Sequence, residues 1–174
     1  MPRTRSRRRV FPACLIVAAA LALTAAPAPA KLVHFKELLP FVDIKLDGWQ
    51  PEGKPKGSTM QSGQMEMSQV SATLRSGGKT LEILVGDGLP AQFAALGNDK
   101  GFQFETTENY LKQVEVDGFQ GMESFHVQEK KGDLILNVAD RFLVVIKVHG
   151  ADKGDILMTV AGKMDLKKLA ELAK

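Results

Sequence analysis

Gly132 to Gly150, GDLILNVADRFLVVIKVHG, is the stretch whose reading decides the fold. Leu134, Leu136 and Val138 alternate with polar or smaller neighbours, and so do Phe142, Val144, Ile146 and Val148. A period of two places each set on one face of a strand. Ala139, Asp140 and Arg141 stand between them. A three-residue loop there pairs Val138 with Phe142, Leu136 with Val144 and Leu134 with Ile146, and collects the large apolar residues on one face. A two-residue loop shifts the register by one and scatters them. The three-residue loop is therefore expected, with Asp140 or Arg141 near the left-handed region. Ile135, Leu143 and Val145 make the reverse face partly apolar, which suits a central second strand.

Outward from this hairpin, the N-terminus has a different character. Arg3, Arg5, Arg7, Arg8 and Arg9 precede an apolar run from Val10 to Ala26, and Ala28-Pro29-Ala30 closes it. A basic start, an apolar middle and a small-x-small end are the parts of a secretory signal peptide. The run is short for a spanning helix. The expected division is a signal peptide over 1–30 and one α+β domain over 31–174, periplasmic or secreted by bacterial export. Arg8-Arg9-Val10-Phe11 partly matches a twin-arginine signal, with Pro12 a departure, so the general secretory route is favoured. Five of the 23 basic residues lie in 1–30 and none of the 20 acidic ones does. The remainder is slightly acidic, so the precursor's basic balance is no sign of nucleic-acid binding. The one cysteine, Cys14, also lies in the leader. The rest of the chain has no thiol for a disulfide, a metal thiolate or a cysteine nucleophile.

Leu32, Phe35, Leu38 and Leu39 form a helical stripe stopped by Pro40, which predicts a short N-terminal helix. Residues 43–59, rich in Gly and Pro, read as loop. Met65 and Met67 are out of phase with Val70, Ala72 and Leu74, which predicts a bulge within 63–75. Ser76-Gly77-Gly78 is a turn into Leu81, Ile83 and Val85. Gly86-Asp87-Gly88 ends that strand, and residues 89–96 read as a short helix. Further strands are expected over 110–116 and 122–127, with a turn at Asp117-Gly118. Asp152 or Asp155 is expected to cap one C-terminal helix and Asp165 another. The fold class expected is α+β, an antiparallel five- or six-stranded meander with a short N-terminal helix and two C-terminal helices.

Gly132-Asp133-Leu134, the run Val138-Ala139-Asp140-Arg141-Phe142-Leu143-Val144, and Asp165-Leu166-Lys167-Lys168-Leu169 resemble an uncharacterised family of exported bacterial single-domain proteins. At fold level the order is similar to PsbP-like photosystem accessory proteins. That resemblance implies a non-enzymatic envelope or lumen module and assigns no catalytic residue.

The chemistry in the chain is sparse. His34, His126 and His149 lack ligand spacing, although His126 and His149 sit on expected strands that folding could bring together. Gly86-Asp87-Gly88-Leu89-Pro90-Ala91 fits G-x-G-x-x-A superficially, without the βαβ unit that a dinucleotide needs. No cofactor is expected. Met60, Met65 and Met67 carry soft thioethers suited to Cu(I), and equally to filling an irregular core. Trp49 and Arg141 are the contact candidates: an aromatic in a Gly/Pro-rich loop, and a cation at a hairpin tip. The leading expectation is an exported non-enzymatic binding or accessory module. The alternatives are periplasmic copper handling, and an exported enzyme whose acid–base pair would be drawn from Asp87, Glu123, His126 and Asp140.

Overall fold

The computed structural model describes residues 31–62, 65–88 and 102–174. The expected leader over 1–30 and the expected helix over 89–96 lie outside them. Helix α1 (Phe35–Leu38) runs into a 3-10 turn (Leu39–Phe41). Strands β1 (Gln50–Pro51), β2 (Lys56–Ser62), β3 (Met65–Ser76) and β4 (Lys79–Asp87) follow. Then come β5 (Gln103–Glu105), β6 (Asn109–Val116), β7 (Phe119–His126), β8 (Lys131–Val138) and β9 (Phe142–His149), and last α2 (Asp155–Ala161) and α3 (Leu166–Glu171). The strands form one open antiparallel sheet in the order β1-β3-β4-β9-β8-β7-β6-β5, with β2 also paired to β3.

The β8–β9 hairpin has the expected register: Val138 faces Phe142, Leu136 faces Val144 and Leu134 faces Ile146. Its loop puts Ala139 and Asp140 at φ 56° and 53°. Strand β9 is central, between β8 and β4. Strands β5 to β9 form a meander in chain order. The N-terminal strands join it only where Leu81, Ile83 and Val85 meet Val148, Ile146 and Val144. The two-residue turns at Gly77-Gly78 and Asp117-Gly118 use positive φ at Gly77, Asp117 and Gly118, as tight hairpins require.

Four expectations need correction. The sheet has nine strands among the described residues, not five or six. The additions are β1, β2 and β5, which lie at the rims. Rim strands are held by backbone pairing to one neighbour, so their exposed side chains need not alternate. Residues 50–51 and 56–62 are therefore strand within what read as loop. No bulge interrupts β3, whose register with β2 and β4 is continuous. Met67, partly exposed, shares the reverse face with Gln69, while the buried side of β3 carries Ser68, Val70 and Leu74. Finally, α2 is capped by Gly154, not by Asp152 or Asp155. Asp165 does cap α3, accepting from the Lys168 N–H at 3.1 Å.

One face of the sheet is covered by the helices. Leu81, Ile83, Leu134, Leu136, Val144 and Ile146 are fully buried there with Leu38, Leu157, Leu166 and Leu169. Each such side chain contributes about 1.5–3 kcal/mol of burial. The reverse face alternates Leu84, Ile135 and Val145 with Glu82, Asp133 and Lys147. No helix of the described residues is long and apolar enough to cross a membrane.

Candidate functional site

Among the described residues, the buried polar side chains of the covered face are Ser68 and Asp87, at the β3–β4 end, and Glu123, toward the β5 rim. There Glu123 of β7 stands opposite Lys112 of β6, and Phe125 stands opposite Tyr110. All four point to the helix side, in phase with Gly121 and Val114. Glu123 is 1% exposed, a carboxylate among core residues. Its Oε1 accepts a short hydrogen bond from the Tyr110 hydroxyl and lies 3.3 Å from Lys112 Nζ. Its Oε2 is buried and has no hydrogen-bond partner. Lys112 Nζ also lies 4.9 Å over the Tyr110 ring, which stacks on Phe125 at 6.0 Å.

Helix α2 begins directly over this group. A side chain at Gly154 would overlap the Tyr110 hydroxyl and come within 3.0 Å of Glu123 Oε1. Close approach at the cap position thus leaves no room for a side chain without moving Tyr110. In front lies a cleft of about 350 Å³ between β5, β6 and the segment leading to α2. Tyr110, Lys112, Glu105, Asp152, Lys153 and Asp155 are among its lining residues. Lys130 bonds Asp152 at 2.7 Å and holds its carboxyl below the usual range. Burial first, then the bond to Glu123 and the charges of Glu123 and Asp155, hold the Tyr110 hydroxyl well above the ordinary phenol range. Tyr110 is therefore a donor and Glu123 its acceptor.

Two other hollows are larger, about 500 Å³ beside Phe41 and Leu172 and about 600 Å³ on the reverse face. Neither adjoins the Tyr110–Glu123 pair.

The nominated residues lie elsewhere. Trp49 is half-buried and packs on the core, and its backbone N–H donates to Leu46 O at 3.0 Å. Arg141 turns inward. Its Nε and Nη2 donate to the two oxygens of Asp87 at 3.0 and 2.8 Å, and Nη2 also donates to Lys31 O at 2.6 Å. Nη1 reaches Leu172 O at 3.4 Å. The bond to Asp87, partly opposed by burial, raises the guanidinium's already high pKa. Val33 N–H completes Asp87 at 2.8 Å. Arg141 thus ties Lys31 and Leu172 to the tip of the sheet.

Met60 and Met67 face each other across β2 and β3. Met65 pairs with Ser62, and its side chain lies outside the described structure. His126 and His149 occupy one row of the sheet but are separated by Lys131 of β8. His34 caps α1, accepting from the Lys36 N–H at 3.2 Å. No group of three or more His, Cys, Asp or Glu suited to a metal ion occurs among the described residues. The four acid–base candidates do not meet. Asp87 is bound to Arg141, Glu123 lies under α2, His126 is on the reverse face bonded to Asn109, and Asp140 is at a hairpin tip bonded to Asn137.

Tyr110, Lys112 and Gly154 were not singled out by the sequence. The available signal was Glu123, a carboxylate in phase with Gly121 and Phe125 on an inward face, which becomes informative only once β6 is set beside β7. Comparison of the chain with protein-family models, with curated proteins and with solved structures finds no match.

Proposed function

We propose that the chain is an exported, non-enzymatic binding or accessory module, periplasmic or secreted, whose ligand seats in the cleft beside Tyr110 and Glu123. The basic start, apolar middle and small-x-small end of residues 1–30 support export. One observation carries the binding reading: a carboxylate 1% exposed, with one oxygen engaged by Tyr110 and Lys112 and the other without a partner. Leaving a buried acceptor unmatched costs about 1–3 kcal/mol, and more when it is charged. A ligand in the cleft meets this group through Tyr110 and Lys112, which line it. Dispersal of the acid–base candidates over four places favours binding over acid–base catalysis. Native mass spectrometry of the chain taken from an envelope extract is the test. A small-molecule adduct present in the wild type and absent in Glu123→Gln supports the reading. An unliganded wild type whose cleft resonances stay fixed against a fragment library counts against it.

A second reading, copper handling, is favoured by the Met60–Met67 cross-strand pair. Directly opposed side chains have Cβ atoms about 4.5–5.5 Å apart, so two thioethers can converge on one soft ion. Titration with Cu(I) against a competing chelator tests it, and unchanged competition in Met60→Leu removes it.

A further inference from the structure

We infer that the cleft takes a small organic cation, and that Lys112 is the internal competitor such a ligand displaces. The inference rests on the cleft being a ligand seat, as proposed above. The seat already has the two parts that an ammonium recognises, a carboxylate and an aromatic face. Lys112 Nζ fills it, 3.3 Å from Glu123 Oε1 and 4.9 Å over the Tyr110 ring. Attraction to a ring face and to a buried carboxylate is the usual means of holding an ammonium group. Lys112 comes from a strand whose outer neighbour is only the three-residue β5, and its side chain is 40% exposed. Its flexible stem lets the ammonium swing into solvent when another cation arrives.

The surroundings select the same charge. Glu105, Asp152 and Asp155 line the cleft with Glu123 behind them, against Lys112, Lys153 and the Lys130 bonded to Asp152. Glu105, Asp155 and Lys153 enter no ion pair with the described residues. Once Lys112 leaves, four carboxylates face two lysines, one of them bonded to Asp152. An anion meets repulsion there, and the donors it would need, Tyr110 and Lys112, are already directed at Glu123. A neutral polyol makes no use of the ring-and-carboxylate seat. A cleft of about 350 Å³ is at the small end for ligand sites, a fit for a short alkylamine or diamine.

The test uses the full mature chain and three probes of similar size: 1,4-diaminobutane, 1,4-butanediol and butyrate. Amide and side-chain resonances of residues 105–112 and 152–155 are followed. The diamine is expected to shift them saturably, and the diol and the acid are not. Lys112→Met, which empties the seat and keeps the apolar stem, is expected to tighten diamine binding by about tenfold, a difference of one favourable charge contact. Glu105→Gln, at the exposed rim where folding is not at stake, is expected to weaken it. Equal response to diamine and diol, or weaker diamine binding in Lys112→Met, overturns the inference. Saturable butyrate or diol binding without diamine binding overturns the ligand class and leaves the cleft a binding site. Silence of the cleft to all three probes in both wild type and Lys112→Met overturns the cation inference, and an adduct-free chain from the envelope then removes the binding reading as well.

Discussion

Replacing Arg141 with methionine isolates the guanidinium from the rest of the side chain. Methionine keeps most of the stem's packing and removes every donor. In the folded chain Arg141 and Asp87 have side chains 14% and 5% exposed, so the pair is shielded from water. The substitution removes both bonds to the Asp87 carboxylate and leaves it only the Val33 N–H. Stranding one member of a buried pair costs about 3–5 kcal/mol. At about 2 kcal/mol per molar urea, the midpoint falls by about 2 M. Trp49 is the only tryptophan and packs on the core, so its fluorescence reports global unfolding. The double variant Asp87→Leu/Arg141→Met removes the stranded charge and is expected to recover most of the loss. An Arg141→Met midpoint within about 0.3 M of wild type, or a double variant weaker than the single one, would refute the reasoning that Arg141 is a structural tie.

Tyr110 is the only tyrosine, so phenolate absorbance reads it alone. Burial and the bond to Glu123 raise its folded-state pKa, so its ionisation in the native chain should come well above that in urea, which stands near 10. By linkage, the associated stability is complete below about pH 10 and declines as pH rises further, and Tyr110→Phe should flatten that decline in urea melts. Native phenolate appearing near pH 10 would contradict the burial. Gly154→Ala should separate Tyr110 from Glu123 and cost about 1–3 kcal/mol by overpacking, measured by urea melts and a lowered Tyr110 titration. Ala139→Gly should stabilise the chain by about 1 kcal/mol, because Ala139 is held at φ 56° where glycine has no steric penalty; an unchanged thermal midpoint would count against strain at that loop.

The central hairpin was legible because two alternating runs and a short spacer admit one register that buries all their large residues. The Asp117-Gly118 and Gly77-Gly78 turns were legible for the same local reason. The rim strands were not. Lys56 to Ser62 carries no alternation, and its pairing is made by backbone groups that every residue possesses. The α2 cap is not legible locally, because Gly154 packs against Tyr110, 44 positions earlier. Arg141 looked like a free cation at a tip, yet its partner Asp87 is 54 residues away in sequence. The candidate site was hidden in the same way. Tyr110, Lys112 and Glu123 become a group only when two strands pair, and local patterning carries no record of that.

The β4–β9 seam bears on how the chain reaches its native state. The earlier strands can zip locally as they emerge, but the one surface able to cover the inner flank of β4 is assembled some sixty residues later. Joining them is a long-range event, slow to nucleate because a large loop must close first. Until β9 is in place, β4 keeps an unpaired hydrogen-bonding flank, an edge on which other extended segments could add.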